Sequence, residues 1–346
     1  MGNITIKDIA KICNVGIGTV SRAINDDPGI NARTKERILR VIKECGYVPN
    51  NSARNLKRSE SNTIALLIKG IDNQFFQGML KIFQEELGKI KYSFMIHAVA
   101  EDEDEVYEAL KLAKEKRLKG IIFLGGLIDR ADERLKYIGI PYVLCTVAIN
   151  KNAPERQCSS VSIDDEMESF RAVDYLCKMG HKKIAIITGR EADYAVGRLR
   201  LEGYERALKE NGINFDPQLV RFMKENIQEY SIENGYAVAK ELIESGIEFT
   251  ALYAVSDITA FGAYKAIYDA GKKIPEDYSV MGFDGLNIGK YFYPALTTME
   301  QPGEEMVRTS INLLVDEIEG KKKNQKLFLK AALLERDSVK QIKKAD

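Results

Sequence analysis

The chain has 346 residues, 45% of them hydrophobic, and its 51 Lys and Arg are balanced by 51 Asp and Glu. That length exceeds one average domain and that apolar content suffices for real cores, which excludes a disordered or low-complexity protein. No run of about 18 apolar residues and no secretory start occurs, so a cytoplasmic protein without membrane contact is expected.

Five cysteines, Cys13, Cys45, Cys145, Cys158 and Cys177, lack paired spacing, so neither a disulfide framework nor a metal site is indicated. The overall neutrality conceals an asymmetry. Residues 1–60 hold eleven Lys and Arg against six Asp and Glu, while the remainder holds 40 against 45. A basic head on an acidic body is the footprint of a chain whose head alone meets phosphates.

In chain order, Thr5 is a candidate N-cap for a first helix through Cys13, whose Ile6, Ile9, Ala10 and Cys13 form one apolar stripe. Gly16 opens a second helix, Ile17 to Ile24, with Val20, Ala23 and Ile24 inward and Ile17, Gly18, Ser21 and Arg22 outward. Asp26 to Gly29 reads as a turn, and Asn31 or Thr34 starts a third helix whose Ile38, Val41 and Ile42 close a small core. Two helices joined by a Gly-containing turn, with a basic side chain on the exposed face of the second, suit entry into a DNA major groove. Arg22 is then the natural bidentate partner of a guanine, Ile17 a contact for a thymine methyl, and Gly18 a point of close approach. Thr5, Thr19, Ser21, Asn25 and Thr34 are short polar groups suited to phosphate oxygens.

The block Tyr47-Val48-Pro49-Asn50-Asn51-Ser52-Ala53-Arg54-Asn55-Leu56-Lys57-Arg58, taken with Thr19-Val20-Ser21-Arg22, resembles the lactose/galactose repressor family of bacterial transcription regulators. The similarity runs along essentially the whole chain. It implies that residues 49–61 form a hinge helix contacting DNA through Asn50, Ala53 and Leu56. Leu56 would insert between central base pairs of the minor groove, and a wedge that unstacks a base step gives this otherwise coreless leucine a physical role.

From Asn62 onward strand-like and helical patterns alternate. Strands are expected over Thr63 to Ile68, Tyr92 to Val99, Gly120 to Leu124, Pro141 to Thr146, Ser160 to Ile163, Lys183 to Thr188, Thr250 to Val255, Tyr278 to Phe283 and Leu296 to Met299. Amphipathic helices such as Phe76 to Lys89, Glu103 to Lys116, Met167 to Met179 and Gly197 to Asn211 lie between them. This alternation predicts parallel sheets covered on both faces, in two doubly wound subdomains with a ligand at the carboxyl ends of their strands.

The fold expected is therefore α/β: a three-helix helix-turn-helix head (residues 1–48), a hinge helix (49–61) and an effector-binding and dimerisation domain (62–346). The resemblance implies a periplasmic-binding-protein architecture for the last, with an N-subdomain of about 62–160 plus 291–325 and a C-subdomain of about 161–290 plus 326–340. Chain crossings near residues 160, 290 and 325 follow from it.

For the effector cleft, Arg200 and Asp284 match the family's ligand-binding arginine and acidic residue, and both suit a polyhydroxylated ligand. Asp72, Phe75 and Phe76 resemble the family's Asn-Pro-Phe-Phe segment, with Gln74 in place of its proline. Tyr230 falls where relatives place a stacking aromatic, and Ser256, Asp257, Thr146 and Gln301 are further polar candidates. Only His97 and His181 are available as imidazoles, and no phosphate loop, nucleophile elbow or metal-ligand cluster occurs, so neither enzyme activity nor a cofactor is expected. The acidic run Glu101 to Glu105 reads as a solvated helix start. The function implied is a homodimeric, ligand-responsive repressor on a pseudo-palindromic DNA operator, with a sugar or sugar phosphate as effector. Alternatives are a nucleoside- or purine-responsive regulator of the same fold, or a small-molecule-binding protein or enzyme without operator specificity.

Overall fold

A computed structural model describes residues 5–24, 27–45, 62–100, 103–126, 133–146, 158–191, 196–321 and 324–342. Asn25, Asn50, Ala53 and Leu56 lie outside the described residues. The chain divides into two compact units, Met1–Ser61 and Asn62–Asp346.

The first unit contains α1 (Ile6–Ile12), α2 (Ile17–Ile24) and α3 (Ala32–Glu44). Its core is Ile9, Ala10, Cys13, Val20, Ala23 and Ile38, each at most 5% exposed, which are the inward positions of the helical period. Asn14 ends α1 in the left-handed region, at φ +48°, a conformation Asn tolerates better than most side chains. The Val15 N–H then donates to Ala10 O at 3.0 Å, turning the chain into α2. Of the two possible starts for α3, Asn31 is the cap: its Oδ1 accepts from the Arg33 N–H at 3.0 Å and the Thr34 N–H at 3.4 Å. Arg37 ties α3 to the end of α1 by donating to Cys13 O at 3.1 Å.

The second unit holds two six-stranded sheets. In chain order its elements begin with β1 (Thr63–Lys69), α4 (Gln74–Leu87), β2 (Ser93–Val99), α5 (Glu105–Lys116), β3 (Gly120–Leu124), β4 (Tyr142–Cys145) and β5 (Ser159–Ile163). They continue with α6 (Asp165–Lys178), β6 (Ile184–Thr188), α7 (Val196–Glu210), β7 (Val220–Phe222), α8 (Ile232–Glu244), β8 (Ala251–Ala254), α9 (Asp257–Asp269) and β9 (Ser279–Asp284). Last come β10 (Thr297–Glu300), α10 (Gly303–Ile318), β11 (Lys326–Leu329) and β12 (Ala332–Leu334).

The first sheet is parallel throughout, in the order β11-β5-β4-β3-β1-β2. The second runs β12-β10-β9-β8-β6-β7, parallel except for β12, which pairs antiparallel with β10. Both are doubly wound, so their central strands are apolar on both faces: Ile64 to Ile68 are at most 2% exposed and Ile184 to Ile187 fully buried.

The crossings between sheets differ in place from those the resemblance implies. The first follows Ile163 at the end of β5, close to 160. The second lies between Glu300 and Gly303 and the third between Leu329 and Ala332, not near 290 and 325. The cause is strand pairing: β10 stays with the second sheet, Thr297 opposite Met281, and β11 extends the first sheet, Lys326 opposite Ser160. All three crossings leave carboxyl ends of strands, so both sheets border them with those ends. The helix pair α6/α7 packs so closely that a Cβ on Gly203 would lie 2.2 Å from Glu166 O. Beyond β12, Ser338 and Lys340 bond to Val280 and Ser279, and buried His181 donates from Nε2 to Lys340 O at 3.1 Å, fixing the C-terminal segment against the second sheet.

Candidate DNA interface and effector site

On the first unit, α2 presents Ile17, 45% exposed, Gly18 and Arg22 to solvent, with Thr19 and Ser21 half-buried. A Cβ on Gly18 would meet nothing within 4 Å, so packing does not demand glycine there. Thr5 is exposed at the start of α1, where its N–H and hydroxyl both donate to Asp8 Oδ2, at 2.9 and 2.6 Å. The hydroxyl bond, then the backbone bond, holds the Asp8 carboxyl below the usual carboxylate range. Thr34 lies half-buried in the first turn of α3. Sequence reasoning missed a groove beside Ile17 lined by Lys7 and Lys11 of α1 and by Asn14 of the turn. The signal was present, since Lys7 and Lys11 lie four residues apart on one exposed stripe of α1.

In the second unit, the carboxyl ends of the strands gather most of the remaining candidates. Arg200, from α7, is 5% exposed, and Asp284, the last residue of β9, is 7% exposed. The structure brings them together, with Arg200 Nη1 3.9 Å from Asp284 Oδ1. The tighter partner is one the sequence reading missed. Asp165, the first residue of α6, accepts from Arg200 Nε at 3.0 Å and lies 2.8 Å from Nη2. Nη1 donates to Val255 O, and the guanidinium stacks 3.8 Å from the centre of the Phe283 ring. Gln301, at the second crossing, donates from Nε2 to Asp284 Oδ1 at 2.8 Å. A polar chain Asp165–Arg200–Asp284–Gln301 thus spans the first and second crossings.

Burial governs the electrostatics. It pushes the Asp284 carboxyl up to about 6, against the opposing charge of Arg200, and it raises Asp165 likewise. For Arg200 burial acts to lower the pKa, but Asp165 and then Asp284 more than offset it and hold the group above its ordinary value. Asp257 is fully buried at the N-terminus of α9, where burial, followed by the Asp284 charge, raises its carboxyl well above the usual range. Its oxygens accept from the Leu286 N–H and the Thr298 hydroxyl, both at 2.6 Å, so it braces the loop after β9. Asp284 itself has φ +123°, a strained value for a side chain other than glycine, of the kind that clusters at functional sites.

The other candidates have varied settings. Ser256 caps α9, its Oγ accepting from the Thr259 N–H at 3.2 Å. Tyr230 is half-buried, at φ +50°, near enough to act electrostatically on Arg200. Thr146, at φ +59°, accepts on Oγ1 from the Gly125 N–H at 3.1 Å. Asp72 is exposed after β1, and its neighbour Asn73 caps α4 by accepting from the Phe75 N–H at 3.0 Å. Phe75 belongs to the hydrophobic core, beside Gly303 at the second crossing, whereas the Phe76 ring covers Gly70 and Gly125. Glu105 is not the solvated residue its acidic run implies: it is 8% exposed and lies 3.3 Å from Lys69 Nζ. Among the described residues no group of three His, Cys, Asp or Glu is placed to hold a metal, and no helix is long and apolar enough to cross a membrane.

A helix-turn-helix head joined to two doubly wound sheets that share three crossings is the architecture of a class of DNA-binding transcriptional regulator. Residues 5–50 match the family described as bacterial regulatory proteins, lacI family, and residues 173–339 match a periplasmic binding protein-like domain. The transcriptional regulator MalR of Clostridium butyricum is 36% identical over 96% of this chain and 98% of its own length. Among solved structures, a complex of the transcriptional regulator CelR with cellobiose superposes with a TM-score of 0.69 at 29% identity, covering 97% of this chain and 99% of that one. The Lac repressor dimer bound to operator and an anti-inducer has the same fold, with a TM-score of 0.80 at 23% identity over 98% of this chain and 100% of that one. The chain belongs to the lacI family of bacterial regulatory proteins, which are transcriptional regulators and not enzymes.

Proposed function

We propose that the protein is a homodimeric repressor that binds a pseudo-palindromic operator and changes its grip on DNA when a small polyhydroxylated effector binds between its two sheets. The observation that carries this reading is the buried chain Asp165–Arg200–Asp284–Gln301. It lies at carboxyl strand ends and involves residues of two crossings, so a ligand that competes for any of its members acts on the connections between subdomains. An effector that prefers one arrangement of those subdomains shifts operator affinity by linkage.

On DNA, Arg22 reads a guanine and Ile17 a thymine methyl, while Thr5, Thr19, Ser21, Asn25 and Thr34, with Lys7 and Lys11 beside them, meet phosphates. Asn50, Ala53 and Leu56 act in the minor groove, and paired Leu56 wedges favour an easily unstacked pyrimidine-purine step at the operator centre. The test is operator selection from a random duplex pool, followed by binding with Leu56→Ala. A two-fold symmetric site is expected, with affinity reduced by a few kcal/mol in the variant. Selection of an asymmetric site, or undiminished affinity, removes this reading.

A further inference from the structure

Resting on the reading of the protein as an operator-binding regulator whose two sheets shift against each other, we infer that Arg171 latches the third crossing. Anchored by the buried Glu168 three residues earlier on α6, it holds the Ala331 carbonyl and so sets the resting arrangement of the two sheets.

The third crossing is short. β11 ends at Leu329 in the first sheet and β12 begins at Ala332 in the second, so Lys330 and Ala331 alone join them. A connection of that length lets the sheets move only by turning its own φ and ψ angles, as hinges built from a few residues do. Here that backbone is gripped by side chains. Arg171 Nη1 donates to Ala331 O at 2.9 Å and also to Glu168 Oε2. Ala331 is 2% exposed and Glu168 is 4% exposed, so water competes little for these bonds. Burial pushes the Glu168 carboxyl up, while Arg171, then the Ala331 N–H and Lys330, act against that rise. The carboxylate therefore faces the crossing as well as the guanidinium.

A solvated ion pair three residues apart on a helix contributes little and acts only on its own helix. This pair differs on both counts, because its carboxylate is buried and its guanidinium reaches a backbone group 160 residues away in sequence. Holding the Ala331 carbonyl fixes the peptide that leads into β12, so the first sheet turns only by breaking the latch or by bending at Lys330. At the other two crossings the side-chain bonds are of another kind: Asp164 caps its own helix, accepting from the Met167 N–H at 3.2 Å, and Gln301 belongs to the Arg200 cluster. The position of α6 links the latch to that cluster. Asp165, the tight partner of Arg200, precedes Glu168 by three residues on the same helix. Arg200 itself sits on α7, which packs on α6 with no room for a Cβ at Gly203. A change at Arg200 that displaces this helix pair therefore pulls Arg171 against Ala331 O.

The test uses the full-length protein and the operator selected from the random duplex pool, with no small molecule added, so that the resting arrangement alone is read. Arg171→Met removes the donors and keeps an apolar stem. The double variant Glu168→Met with Arg171→Met removes both charges, so no buried carboxylate is stranded should the single variant fail to fold. Hydrogen exchange of peptides spanning Lys326 to Leu334 reads the crossing, exchange of β8 reads global stability, and fluorescence anisotropy reads operator affinity. Exchange at the crossing should rise about tenfold or more in both variants while β8 exchanges as in the wild type. Operator affinity should shift about fivefold or more, in the same direction in both. Faster exchange at the crossing with unchanged operator affinity overturns the latch, because a pair that merely stabilises the segment gives that result. Unchanged exchange at the crossing overturns it as well. A wild type that selects no operator refutes the regulator reading on which the latch rests, an outcome distinct from the other two.

Discussion

Arg22 and Arg200 are the same residue type in opposite settings. Arg22 is exposed on α2, where a guanidinium fork suits a base edge. Replacing it with alanine should cost about 1 to 3 kcal/mol of operator affinity and relax discrimination at one base pair. Binding to an operator series mutated at each position checks this, and equal discrimination throughout would make Arg22 a phosphate contact. Arg200 is spent inside the protein, and its partner Asp165 was illegible for a physical reason. The run Asp164-Asp165-Glu166 opens a helix, where carboxylates favour the dipole whatever else they do. Asp164 does cap α6, accepting from the Met167 N–H at 3.2 Å, and only the fold separates its role from that of the residue after it.

Asp284 makes the electrostatics testable. Its carboxyl is raised from 3.8 to about 6 in the folded protein, so the folded state binds the proton more readily than the unfolded chain. Its contribution to stability is therefore fully present below about pH 4 and is lost as pH rises through 6. In urea titrations Asp284→Asn should gain on the wild type by up to about 3 kcal/mol between pH 4 and 7. A difference constant across that range would show that burial does not perturb this group.

At the scale of elements, local pattern carried most of the information. The bounds of α2 follow from Val20, Ala23 and Ile24 at helical spacing, and the central strands announce themselves as short unbroken apolar runs such as Ile64 to Ile68. Sheet membership of β10 and β11 was not legible, because it depends on pairing with strands far away in sequence. The short β12, with three residues, offers no period to read. Glycines divide the same way. Gly203 and Gly78 both sit in helices, yet a Cβ on Gly203 would strike Glu166 O and the Phe170 N, while one on Gly78 would meet nothing within 4 Å. Gly203→Ala should destabilise by about 1 to 3 kcal/mol as α6 and α7 are forced apart. Gly78→Ala should stabilise by up to about 1 kcal/mol through helix propensity alone. Chemical melts that fail to separate the two variants would show that the α6/α7 contact is not tight.

At the scale of the whole molecule, the charge asymmetry and the order of patterns point to a basic helical head followed by an α/β body, and the structure has three helices followed by two doubly wound sheets. The pairing inside the cluster was not legible, since sequence shows that Arg200 and Asp284 are present but not that Asp165 is the tighter partner of the guanidinium. We propose that this cluster couples ligand to DNA. It is tested most directly by operator affinity, measured by fluorescence anisotropy with and without a sugar that raises the melting temperature, in the wild type and in Arg200→Lys. Lysine keeps the positive charge but cannot reproduce the two contacts to Asp165. The sugar should shift operator affinity in the wild type by about 5- to 150-fold, and the shift should be lost in the variant. A sugar that stabilises the wild-type protein yet leaves its operator affinity unchanged would contradict it.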